Sequence, residues 1–75
     1  MALRSLGRPA EAEDAYRRAL AADSSRAEAW HNLGNLLLEQ GRTSAAAAAF
    51  RRVIEVAPTG SLAAAARRSL ESLQP

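Results

Sequence analysis

A chain of 75 residues with 19 alanines, three aromatics and no cysteine is bounded to one small domain, near the lower size at which a core folds unaided. Without cysteine there is no disulfide staple, no thiolate metal site and no cysteine nucleophile. All ten basic residues are Arg, but eight acidic residues interspersed among them leave a net charge of +2, which argues against a clustered nucleic-acid or anionic-membrane surface.

Taken in chain order, Ala2 to Leu6 read as the tail of a helix stopped by Gly7. Pro9 lies just beyond, well suited to the first turn of the next helix, where its missing N–H needs no partner. That helix is expected from about Pro9 to Ala22, with Ala12, Ala15, Tyr16, Ala19 and Leu20 on its apolar side. Asp23-Ser24-Ser25 makes a link, and Ser25 followed by Glu28 has the spacing of a capping box. A third helix follows from about Arg26 to Gln40, burying Ala29, Trp30, Leu33, Leu36 and Leu37, and Gly41 supplies a left-handed stop. The fourth helix opens at Thr43 or Ser44 and ends before Pro58, with Ala46, Ala49, Phe50, Val53 and Ile54 facing the core. Thr59-Gly60-Ser61 is the last link, with Ser61 as N-cap. A final helix from Leu62 to about Leu73 carries Leu62, Ala66, Leu70 and Leu73 on one stripe. No β-type alternation occurs, so the fold is all-α. Links this short make successive helices antiparallel neighbours.

The chain also repeats itself. An offset of 34 residues lays Gly7 on Gly41, Ala12 on Ala46, Ala15 on Ala49, Tyr16 on Phe50 and Arg17-Arg18 on Arg51-Arg52. A period in this range marks a stacked helical repeat. Gly34 stands inside a helix, where it costs about 1 kcal/mol relative to Ala. The expected compensation is close approach of the Ala46 face of the partner helix, flanked by Trp30 and Phe50.

Trp30-x2-Leu33-Gly34-x2-Leu37, then Ala46-x3-Phe50, then Pro58, resembles the tetratricopeptide repeat (TPR) pattern W-x2-L-G-x2-Y, A-x3-F, P. Leu37 departs from it, replacing a Tyr. The resemblance implies antiparallel helix-turn-helix repeats stacked as a short right-handed α-solenoid. It divides the chain into a truncated first repeat (1–24), a complete repeat (25–60) and a C-terminal capping helix (61–75). The first unit has Ser24 where Pro would sit. The last helix has Ala64, Arg67 and Arg68 where Trp, Leu and Gly would be, as suits an end that faces water.

By the same resemblance, the first helix of the complete repeat presents Glu28, His31, Asn32, Asn35, Leu38 and Glu39 to a concave groove that holds a partner's peptide or helix. The spacing of His31, Asn35 and Leu38 independently sets a stripe rotated away from Trp30, Leu33 and Leu37. A carboxylate clamp of the kind found in some TPR domains is disfavoured, because its basic partners would fall at Leu62 and Ala66. His31, the only histidine, lacks the further ligands that a metal site needs. The Arg pairs read as a solvated convex face. Arg17-Arg18 follow Glu13 and Asp14 by one turn, whereas Ala47 and Ala48 precede Arg51-Arg52. No triad, phosphate loop or carboxylate pair is present, so neither an enzyme nor a cofactor is expected.

The expected function is therefore protein–protein interaction. The alternative is a structural module that stacks on further repeats or on a second copy through an open face of Leu3, Leu6 and Tyr16, and an Arg-rich nucleic-acid binder is a weaker third. No apolar run approaches a membrane span, and no basic-then-apolar leader opens the chain. A cytoplasmic location is expected, a periplasmic fragment having the same composition, and the Ala and Arg bias points to a GC-rich bacterial genome.

Overall fold

In a computed structural model, residues 8–73 are described, with side chains from residue 10 onward. They form four α-helices and no strand: α1 (Arg8–Ala22), α2 (Ala27–Glu39), α3 (Thr43–Val56) and α4 (Ser61–Leu73). The expected helical tail at Ala2 to Leu6, with its stop at Gly7, lies outside the described residues. Each helix packs on its neighbour in sequence, and α2 also touches α4. The assembly is 19 Å across its thinnest direction, which leaves room for two layers of helix, each about 10 Å thick. This is the packing of a TPR-like helical repeat.

The core is built from small residues around one aromatic anchor. Phe50, Val53, Ala46, Ala63 and Ala66 are fully buried, with Leu33, Leu37 and Ala49 almost so. Among the described residues no polar or charged side chain is buried. Phe50 lies where the interior glycine makes room. A Cβ added at Gly34 would stand 2.7 Å from Cε1 of the Phe50 ring. The group nearest to this glycine is thus the ring of Phe50, one of the two aromatics expected to flank it.

Turn chemistry explains one boundary fully. Gly41 has φ +76°, a region costly for residues with a Cβ. Its N–H reaches the carbonyl of Leu38 at 3.0 Å, and the Arg42 N–H reaches that of Leu37 at 2.9 Å. These two bonds form a Schellman motif that satisfies the last carbonyls of α2.

Three local expectations need correction. No side chain caps α2: its N-cap is Arg26, one residue later than the proposed capping box. Ser25 instead gives both its N–H and its hydroxyl hydrogen to the carboxylate of Asp23, a closer partner than the first turn of the helix. Ser61 is the first helical residue rather than the cap, because the Ala64 N–H already bonds to the Gly60 carbonyl. Ala15 is exposed rather than on a covered apolar side, since among the described helices α1 touches α2 alone.

Candidate functional site

The inward face of α2 is Ala29, Leu33, Gly34 and Leu37, all buried. The remaining arc of the helix is therefore free to be polar. On it Glu28, Asn32, Asn35 and Glu39 are exposed and His31 is half-buried. Leu38, at 37% exposure, is the exposed large hydrophobic residue of the described chain.

The structure brings two of these residues together. His31 and Asn35 stand one turn apart, with Nδ1 and Nδ2 separated by 3.4 Å, and Leu38 follows on the next turn. The His31 ring meets the Phe50 ring edge-on, with centroids 5.8 Å apart at 61°. Phe50 reaches that far because Gly34 offers no side chain in its path. The same glycine thus links core packing to the histidine's orientation. Glu28, Asn32 and Glu39 occupy the adjoining strip. The six residues carry two carboxylates and no cation, so the arc is acidic at both ends and neutral between them. Among the described residues no group of three or more His, Asp or Glu is placed to hold a metal ion.

Ion pairs lie elsewhere. Arg17 and Arg18 pair with Glu13 and Asp14, as their spacing predicts. Arg52 finds a carboxylate at Glu55, three residues on, at 2.8 Å. Glu13 also accepts from Arg42 at 3.1 Å, tying α1 to the link between α2 and α3. Hydrogen bonding from Arg17, helped by the charge of Arg42, holds the Glu13 carboxyl below its ordinary range. The hydrogen bond from the Ser25 hydroxyl does the same for Asp23. Arg67 donates to the Pro58 carbonyl at 3.1 Å and so braces the last link.

Trp30 packs against the core but is only partly buried. Like Leu36 and Ile54 it is less covered than its apolar spacing predicts. Its indole N–H donates to the Ser24 carbonyl at 2.8 Å, and its ring borders a depression between α1 and α3. The available signal was Ala45 and Ala48, small residues spaced by three on the side of α3 that faces this depression.

The helix pairing, the glycine under the aromatic anchor and the Schellman stop coincide with a match to the sequence model of the tetratricopeptide repeat over residues 1–61. The chain belongs to the tetratricopeptide repeat family. The match covers α1, α2 and α3 and ends as α4 begins. No curated protein matches this TPR chain in sequence. TPR folds are in general non-enzymatic scaffolds that mediate binding between proteins, and a protein–protein interaction module is the class of function the family supports here. Among the described residues no helix is long and apolar enough to cross a membrane.

Proposed function

We propose that this TPR chain holds a peptide or helix of a partner protein against the α2 arc formed by Glu28, His31, Asn32, Asn35, Leu38 and Glu39. The supporting observation is the exposed Leu38 beside the His31–Asn35 pair, on the arc turned away from the core. Leu38 and the imidazole edge offer apolar contact. The two amides offer donors and acceptors to a peptide backbone. The flanking carboxylates of Glu28 and Glu39 favour a partner that brings Lys or Arg beside an apolar side chain. On this reading residues 25–60 are the working repeat, and 61–75 cap it.

Selection of short random peptides on the immobilised chain tests this. Winning peptides should pair an apolar residue with a basic one, and Leu38→Glu or Asn35→Arg should weaken them about tenfold, the equivalent of 1.4 kcal/mol. Winners that bind both variants as well as the parent would refute the reading. One observation favours a second reading, self-association through α1: Ala15 is exposed, although its repeat mate Ala49 is buried. Sedimentation that shows a concentration-dependent dimer, abolished by Tyr16→Glu in a still-helical chain, would support that reading instead.

A further inference from the structure

The backbones of α1 and α3 do not come within contact distance of each other, because α2 lies between them. The space left on that side is an open depression of about 480 Å³. Trp30 and the edges of Leu33 and Leu37 form its floor. Ala45, Ala48 and Ala49 form one wall, and Arg17, Arg51, Arg52 and Glu55 rim it. The depression exists because the α3 residues facing it, Ala45 and Ala48, end at Cβ. Around α2, Trp30 stands about 80–140° from Leu38, His31 and Asn35, and none of those three lines the depression, so this is a separate surface.

The rim has three guanidinium groups and one carboxylate. Two of the cations are already engaged: Arg17 pairs with Glu13 at 2.9 Å, and Arg52 pairs with Glu55 at 2.8 Å. Arg52 also lies 5.3 Å above the Trp30 ring centroid, a cation–π contact that fixes it at the lip of the depression. Arg51 is exposed, and among the described residues it has no ion-pair partner. The site is thus an apolar floor beside an uncompensated guanidinium.

We propose that this cleft between α1 and α3 is a second docking surface, for an acidic peptide segment that places an apolar side chain on Trp30 and the Ala45–Ala48 wall and a carboxylate on Arg51. Charge complementarity selects the occupant, since a carboxylate takes two parallel hydrogen bonds from one guanidinium. The open shape selects a peptide over a small molecule, because enclosed ligand sites bury most of the ligand's surface. A nucleic-acid backbone is disfavoured, as Glu13 and Glu55 interrupt the cations that a run of phosphates would require.

The chain carries a built-in reporter, since Trp30 is the only tryptophan. The 75-residue protein is titrated with the blocked peptide acetyl-EELEE-amide, following Trp30 emission and backbone amide NMR shifts. Saturable binding with shifts at Trp30, Ala48 and Arg51 is expected. Arg51→Glu should weaken it by roughly fivefold or more, as should replacing the peptide by acetyl-QQLQQ-amide. Ala48→Leu, at an exposed position where folding is not at stake, should remove binding by filling the cleft. Asn35→Arg should leave it intact, which separates this surface from the α2 arc. The proposal is overturned if the peptide does not saturate at millimolar concentration, or if Arg51→Glu binds it equally. Shifts confined to His31, Asn35 and Leu38 would also overturn it. So would a single-stranded oligo-dT that competes for Arg51 and binds more tightly, or a dimer whose interface covers Trp30.

Discussion

Helices α1 and α3 share one sequence pattern at an offset of 34 residues and have different fates. In α3 the face of Ala46, Ala49 and Phe50 is sealed, with Phe50 at 0% exposure. Its counterparts in α1 are less covered: Ala12 and Tyr16 are half-buried, and Ala15 is exposed. The difference lies in the neighbours. Helix α3 is held between α2 and α4, whereas α1, among the described helices, touches α2 alone. An amphipathic face states what a helix can bury, and the elements on either side decide how much of it is buried. The charged positions diverge as well. Arg17 and Arg18 look back to acids one turn earlier, while Arg52, with Ala48 at that place, turns forward to Glu55 and onto Trp30.

The largest test of this contrast compares the two aromatic anchors. Phe50→Ala should lose about 3–5 kcal/mol, a large part of the ~4–11 kcal/mol expected for a domain of this size, and leave the chain largely unfolded. Tyr16→Ala should lose only about 1 kcal/mol, because its ring is half-covered already. Urea denaturation followed by circular dichroism measures both. Equal losses would mean that α1 is as well enclosed as α3.

A smaller effect is expected at Gly34, on the α2–α3 side alone. Alanine there gains about 1 kcal/mol in helix propensity but drives a methyl group to 2.7 Å from a fully buried ring. Overpacking of this kind costs about 1–3 kcal/mol, so Gly34→Ala should be destabilising by about 1 kcal/mol net. In a double-mutant cycle with Phe50→Leu the loss should shrink. Additive losses would show that the ring does not press on this position.

The smallest effect belongs to α1. Glu13, at 19% side-chain exposure, pairs with both Arg17 and Arg42, while its repeat mate is Ala47. Glu13→Gln should reduce stability at neutral pH by a few tenths of a kcal/mol. Its folded carboxyl titrates below the ordinary Glu value, so the unfolded chain binds protons more readily than the native one. The pair's contribution is therefore complete above the ordinary Glu range, and is lost as pH falls through the lowered value. The unfolding midpoints of parent and variant should differ at neutral pH and converge in acid. A gap that persists in acid would assign the loss to packing.

Periodicity, turn residues and one interior glycine determine by themselves the four described helices to within a residue or so, the stop at Gly41, the aromatic anchor and the family. These are local properties, since helical spacing and a positive φ depend only on residues within a turn of one another. The arc of Glu28, His31, Asn32, Asn35, Leu38 and Glu39 is legible for the same reason: it is what remains of α2 once the apolar stripe is taken away. Tertiary structure decided which groups met between one helix and the next, while ion pairs such as Arg17–Glu13 and Arg18–Asp14 follow from spacing within a helix. Phe50 of α3 met the space at Gly34 of α2, and Trp30 stayed only partly buried beside a cleft walled by α3; the turn of Ser25 to Asp23 is a local contact that competes with the cap. Each of these outcomes depends on where a second group stands, and burial in particular on helices far along the chain. A one-dimensional pattern records the capacity for such contacts, and only the packed neighbours choose among them.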